Sequence, residues 1–293
     1  MTSAADRVPA PLLVLAGIVS VLFGGALAAT LVPVIGAGGS VVMRLMFATA
    51  LLLALVRPRW RGHSRRAWLT VIAFGVALGL MNYTFYGSLA HLPIGVAVTI
   101  EFIGPLTLAA VLSRRWLDAV AVAAAAAGVV LISEALHTPF AELEKTGIAL
   151  ALLAGAFWAA YIVLSGRTGA EFPRLEGLAL AMVVATVVTL PFGVASVPSW
   201  TPEMMLKGFG IAVLSSVLPY SLELLALRRL EAEQDAEDLG AEPAFAALAG
   251  LVVLGQVLSP TQLLGMALVV TASALVLGLG DRREPDPAET ANA

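Results

Sequence analysis

The chain has 293 residues, of which 59% are hydrophobic and 13% charged, with a formal net charge of −3 and no cysteine. A water-soluble domain carries roughly 25% charged residues, so lipid rather than water is the main solvent of this protein. Without cysteine there is no disulfide, no thiolate nucleophile and no cysteine-ligated metal. Span-sized apolar runs of about 20 residues follow one another along the chain. They predict ten helices at about 11–31, 39–56, 68–89, 94–113, 118–134, 147–165, 176–194, 207–226, 239–258 and 261–279. The first run, from Pro11 to about Leu31, is longer than the apolar core of a signal peptide and reads as a retained span.

Arginine marks one side of the membrane. Clusters at Arg57/Arg59/Arg61/Arg65/Arg66, Arg114/Arg115, Arg167/Arg174, Arg228/Arg229 and Arg282/Arg283 fall at alternate gaps, and the other gaps hold only Lys145 and Lys207. Short cytoplasmic loops retain such charges. The alternation therefore predicts a multi-pass protein of the cytoplasmic membrane with both termini in the cytoplasm. Trp60, Trp68, Trp116 and Trp200 fall at span ends, where amphipathic rings settle. Residues 280–293 are polar and proline-containing and read as a disordered cytoplasmic tail.

The gap at about Ser133–Gly147 divides five spans from five. Leu92, Pro105 and Asp118 align with Leu230, Pro243 and Gln256 at one constant offset of 138. An odd number of spans per copy inverts the second copy, and inverted repeats place a transporter's substrate site near the midplane between them. The predicted fold is all-α: ten transmembrane helices as two inverted five-helix repeats, 11–134 and 147–279. The offset also exposes an anomaly: Pro93–Ile100 is apolar, whereas its counterpart Glu231–Asp238 carries five carboxylates and should delay the ninth span to near Leu239.

No nucleotide loop of the GxxxxGK[ST] type and no HExxH motif occurs, and no nucleophile–base pair or metal cluster stands out. Neither an enzyme, a cofactor nor a nucleic-acid partner is implied. Gly75 and Gly79, and the small residues from Ala119 to Gly128, fit close helix packing. Ionisable residues inside spans are costly and carry the stronger signal. Arg44 lies roughly 8 Å from the outer face and Glu101 roughly 10 Å, at 1.5 Å per residue. At matching depth the two can form an ion-paired clasp or bind the two ends of a zwitterion. Glu242 before Pro243, and Glu223 near Tyr220, are further acids; Glu242 is a candidate for proton exchange, and Glu223 for pairing with Arg228 or Arg229. Asn82, Tyr83, Tyr86, Trp158, Tyr161, Ser215, Ser216 and Tyr220 complete the candidate substrate-binding or gating set.

Three groups of residues carry a resemblance. Met81–Tyr86 followed by Glu101-Phe102-Ile103-Gly104-Pro105-Leu106, then Phe157–Leu164, then Leu214–Glu223 with Glu242-Pro243-Ala244, resemble the threonine/homoserine exporter group of the EamA-type drug/metabolite transporters. The likeness spans about residues 12–279. It implies ten helices in inverted repeats and export of small amino acids or related metabolites. Two positions depart from that group's pattern: the acidic stretch Glu231–Asp238, and Gln256 in place of a common Glu.

The reading is a secondary exporter of a small amino acid or similar polar metabolite, working by alternating access, with protons as the candidate coupling ion. Its partners are the small-molecule substrate and the bilayer, and a homodimer is left open. The alternatives are an importer or drug exporter on the same scaffold, and a non-transporting scaffold or sensor that uses the 231–238 loop.

Overall fold

Backbone amides cannot bond to lipid, so an apolar chain satisfies them within helices. The computed structural model describes residues 10–113, 116–132, 144–173, 175–219, 222, 255 and 258–280, and every regular element among them is helical. In chain order these are α1 (Ala10–Ala29), α2 (Val32–Val56), α3 (Arg65–Ser88), α4 (Ile94–Glu101), α5 (Ile103–Ser113), α6 (Trp116–Ile132), α7 (Lys145–Glu171), α8 (Glu176–Gly193), a 3-10 turn (Val194–Ser199), α9 (Pro202–Ala212), a π-helical segment (Val213–Val217) and α10 (Pro260–Gly280). Among the described residues, five stretches are long and apolar enough to cross a membrane: Val32–Val56, Arg65–Ser88, Ile94–Leu112, Lys145–Glu171 and Glu176–Ser199. The predicted ninth span, the acidic stretch 231–238 and the tail 281–293 lie outside the described residues.

Local chemistry sets the ends. Ser64 caps α3 by accepting from the Ala67 N–H at 3.1 Å, and Thr201 caps α9 by accepting from the Met204 N–H at 3.3 Å. Arg57 closes α2 in the left-handed conformation (φ 50°) and donates its N–H to the Leu53 carbonyl at 3.0 Å.

Several boundaries differ from the sequence expectation: α7 runs on to Glu171 rather than ending near 165, and α9 begins at Pro202 rather than near 207. The second helical element begins at Val32, not near residue 39. Pro33 sits in its first turn, where a missing N–H costs nothing, and Gly36 (φ 73°, ψ 166°) leaves helical geometry, so the element is two helical pieces joined at a kink. The fourth span is broken between Glu101 and Ile103. Pro105 has no N–H to give the Glu101 carbonyl four residues earlier. That carbonyl instead lies against Gly155 of α7, where a side chain would strike it, and a Cβ on Gly104 would overlap the Gly155 carbonyl. Two glycines thus let the broken segment and α7 meet backbone to backbone.

The packing uses small residues as expected. Gly75 and Gly79 of α3 lie against Ala181, Val184 and Ala185 of α8, and Gly128 of α6 lies against Gly265 of α10. Beyond these pairs, α3 packs on α7, α2 on α8 and α9, and α1 on α9 and the π segment. Polar contacts within the bundle are few: the Thr49 hydroxyl donates to the Met182 carbonyl at 3.1 Å and lies 2.8 Å from the Thr186 hydroxyl, tying α2 to α8.

Contacts also sort the loops by end. At one end Arg66 reaches Glu171 at 3.6 Å and the His63 ring lies 4.5 Å from Phe172, joining the α2–α3 loop to the end of α7. At the other, His91 lies 3.3 Å from Glu144, joining the α3–α4 loop to the start of α7.

Candidate functional site

A cavity of about 300 Å³ opens among α1, α2, α3, α4, α7 and the π segment. Arg44 lines it. It lies eight residues past the Gly36 kink (44 − 36), with twelve residues of α2 after it (45–56). An ionisable residue inside a span is costly, so its partners matter.

Those partners are neutral. The guanidinium Nη1 donates to Asn82 Oδ1 and, at 3.2 Å, to the Tyr86 hydroxyl; Nη2 donates to the Ser215 carbonyl at 3.5 Å. The Tyr86 ring centre lies 5.7 Å from the guanidinium carbon. Asn82 and Tyr86 are four residues apart on one face of α3. The Asn82 amide is oriented by its own helix: Nδ2 donates to the Leu78 carbonyl at 2.8 Å, which turns Oδ1 to Arg44.

The Ser215 carbonyl is available for a reason legible in the sequence. In an α-helix it would accept from residue 219, which is proline. The backbone slips to π register, with the Leu218 N–H bonded to the Val213 carbonyl. Such single-turn bulges cluster at functional sites. The Leu214 carbonyl, freed by the same slip, accepts from the Ser20 hydroxyl of α1 at 2.6 Å.

Glu101 ends α4 at the helix break, is buried (8% exposed) and lines the same cavity. The Arg44 guanidinium is held by an amide, a phenol and a carbonyl. Aromatic walls come from α7. Trp158 sits edge-on to Phe102 at 5.6 Å, beside the helix break, and Tyr161 tilts over Phe74 at 5.1 Å.

Arg44, Asn82, Tyr86, Glu101, Trp158, Tyr161 and Ser215 therefore converge on one space. Tyr83 does not join them; it stacks on Phe192 of α8 at 4.4 Å. Ser216 is buried (1% exposed) outside the cavity lining. Tyr220 and Glu242 lie outside the described residues. Sequence reasoning missed the α1 wall, formed by Val21, Leu22 and Gly25. These residues sit in a uniformly apolar run, and only Ser20 and the small residues gave any sign of a polar neighbour.

The profile of the EamA-like transporter family matches residues 145–278. The chain is also 38% identical over 264 residues to the threonine/homoserine exporter RhtA of Escherichia coli K12, covering 89% of this chain and 88% of that protein. The chain belongs to the EamA-like transporters. This EamA-like transporter is 37% identical to the threonine/homoserine exporter RhtA of Salmonella typhimurium LT2, over 94% of its own length and 92% of the relative. It is 25% identical to the uncharacterized transporter YwfM of Bacillus subtilis, over 82% and 83% of the two chains. A solved crystal structure shares its fold, with a TM-score of 0.62 over 94% of this chain and 99% of the other at 18% identity. The relatives are transporters rather than enzymes. For an EamA-like transporter with several apolar helices of spanning length, the bilayer is the setting in which this cavity works.

Proposed function

We propose that this EamA-like transporter is a secondary exporter of a small zwitterionic amino acid, of the threonine or homoserine type, in the cytoplasmic membrane. One observation carries the reading: a guanidinium within an apolar helix and a buried carboxylate line the same cavity of about 300 Å³. That volume is at the lower end of small-molecule sites, about 300–1,000 Å³, which suits an amino acid and not a large drug. Two Arg44 donors remain after Asn82, Tyr86 and Ser215 are served. They are the Nε–H, which has no partner among the described residues, and the second Nη2–H. In a guanidinium the Nε–H and one Nη2–H share an edge that can grip a carboxylate with two parallel bonds, and the proposed grip has the substrate carboxylate reach the buried Nε–H on that edge. Glu101 then takes the substrate ammonium group. The names of the relatives supply the hydroxylated side chain.

Alternating access rocks one five-helix repeat, 11–134, against an inverted second, 147–279. The pattern of helix contacts supports a duplication. With α4 and α5 counted as one broken span, α1 and α7 are the first helices of the two halves, α3 and α9 the third. α1 packs on α9, and α7 on α3; α2 packs on α9, and α8 on α3; α2 meets α8, and α6 meets α10. Exchanging the halves reproduces each of these contacts, as a two-fold axis in the membrane plane requires. The arginine alternation, together with the joining of the α2–α3 loop to the end of α7, supports cytoplasmic termini. Glu101 is the proposed proton carrier of the cycle.

The test is efflux of labelled threonine from proteoliposomes, with and without an imposed proton gradient, for wild type, Arg44→Gln and Glu101→Gln. Wild-type efflux that responds to the gradient and is lost in both variants is expected. Absence of flux for threonine, homoserine and serine in a correctly inserted wild-type protein would sink the proposal.

A further inference from the structure

The Ser215 side chain has no role in the arrangement above, which uses only its carbonyl. Its hydroxyl is buried (6% exposed) and has no hydrogen-bond partner among the described residues. Buried hydroxyls in folded proteins are almost always bonded, either to a neighbour or to the preceding turn of their own helix. The other serines and threonines of the bundle illustrate this: Thr99, Thr168 and Thr189 each donate to a carbonyl four residues back, at 2.6, 2.7 and 2.8 Å. Ser215 is the exception at the cavity wall. The π register changes the carbonyl spacing behind it, and Gly24 of α1 packs directly on the oxygen, where any side chain at 24 would collide with it.

An unpartnered hydroxyl on a cavity-lining residue can turn about its Cα–Cβ bond without breaking a hydrogen bond. It also sits beside the proposed carboxylate grip, since Arg44 Nη2 bonds the carbonyl of the same residue at 3.5 Å. The oxygen itself is closed off against Gly24, so a substrate in the cavity meets it after that turn, on the wall that Ser215 lines.

We propose that the Ser215 hydroxyl is the specificity-determining group that reads a hydroxyl on the substrate side chain. The inference rests on the amino-acid exporter reading and deepens it: the preferred substrates are hydroxylated amino acids, and their methyl isosteres are rejected. Discrimination comes from the partner left unsatisfied. With threonine or homoserine the Ser215 oxygen gains a bond it otherwise lacks; with valine or norvaline, of nearly the same shape, it remains buried and unpaired. A site built around a substrate hydroxyl discriminates far more sharply than one that only measures volume.

The experiment measures competition in proteoliposomes loaded with labelled threonine, using valine, homoserine and norvaline as unlabelled competitors, for wild type, Ser215→Ala and Gly24→Ala. Wild type should prefer threonine to valine and homoserine to norvaline by at least about tenfold, and Ser215→Ala should lower both ratios roughly five- to tenfold. Gly24→Ala leaves the serine in place but crowds its oxygen, and should lower the same ratios. Equal loss of threonine and valine transport in Ser215→Ala, with the ratios unchanged, would assign the residue a packing role and overturn the inference. A wild type that transports threonine and valine alike would overturn it without any variant, so a variant that fails to insert does not rescue it. No wild-type flux for any amino acid would instead remove the exporter reading itself.

Discussion

Arg44→Lys keeps the positive charge and removes the fork, so it isolates what the guanidinium geometry contributes. In the wild type, Nη1 serves Asn82 and Tyr86 of α3 while Nη2 reaches the Ser215 carbonyl of the π segment, on two different elements. A lysine ammonium is a single point with three donors. It can meet Asn82 and Tyr86, four residues apart on one helix face, but it cannot also hold Ser215 and present two parallel bonds to a carboxylate. At least one charge-assisted bond to substrate is lost. Bonds to charged groups contribute about 1.5–3 kcal/mol, and each 1.4 kcal/mol is tenfold in affinity. The expected result is an increase in threonine KM of roughly 10- to 150-fold, with membrane insertion intact because the charge is retained. The assay is initial-rate efflux from proteoliposomes over a range of internal threonine concentrations. A parallel measurement follows substrate-dependent thermal stabilisation of the protein in detergent. A KM within twofold of wild type, with the stabilisation preserved, would refute the side-on grip and leave Arg44 as a structural cation only.

Further expectations concern the elements that shape the site. Gly155→Val should lower the unfolding temperature in detergent sharply, because the new side chain meets the Glu101 carbonyl at the helix break; overpacking of this kind costs about 1–3 kcal/mol or more, and an unchanged melting curve would contradict the backbone contact. Asn82→Leu leaves Arg44 Nη1 with Tyr86 alone and should lower stability by about 1–3 kcal/mol, the cost of an unmet buried donor, measurable by the same melt. Gly36→Ala meets no neighbouring atom within 4 Å, so any effect must come from the positive φ of 73°; strain of about 1–3 kcal/mol is expected, and a neutral result would show that the kink relaxes freely.

Much of the architecture could be read before any coordinates. Long apolar runs announce helices, and the small-residue patterns at Gly75/Gly79 and Ala119–Gly128 identified real contact faces. Boundaries failed where the rule of thumb conflicts with local geometry. Glycine-rich sequence around Gly36–Gly39 looks like a loop, yet tight packing of Gly38 against the Phe192 carbonyl and Gly193 holds it in a kinked helix. The break after Glu101 was signalled by Pro105, but its position depends on Gly155 accepting the freed carbonyl, and a contact between residues 54 apart in sequence (155 − 101) leaves no periodic trace. At the site, polar and aromatic residues inside spans were found by type alone. Tyr83 shows the limit of that approach. It is one residue from Asn82, but a helix turns 100° per residue, and the ring faces Phe192 instead of the cavity. The α1 wall could not be found by residue type because its residues are no different from lipid-facing ones.

The distribution of chemistry between the halves bears on how the site works. Arg44, Asn82, Tyr86 and Glu101 all come from the first half; among the described residues the second contributes Trp158, Tyr161, Ser215 and Pro219. The proposed duplication accounts for the common helix pairings, but a zwitterion has unlike ends and gains nothing from symmetric charges. In the proposed cycle Arg44 and Glu101, both of the first half, keep substrate attached to that half while the other moves across it. Among the described residues the second half contributes ring walls, the Ser215 hydroxyl proposed above to read the substrate, and a backbone carbonyl released by Pro219 and held by Arg44. Restoring the missing donor with Pro219→Ala should return the Ser215 carbonyl to its own helix and uncouple it from Arg44. Substrate stabilisation in detergent should survive, because the first half keeps both charges, whereas efflux should fall, because the two halves have lost a bond that joins them. If binding and efflux fall in equal proportion, the carbonyl belongs to the binding site alone and the division of labour between the halves is wrong.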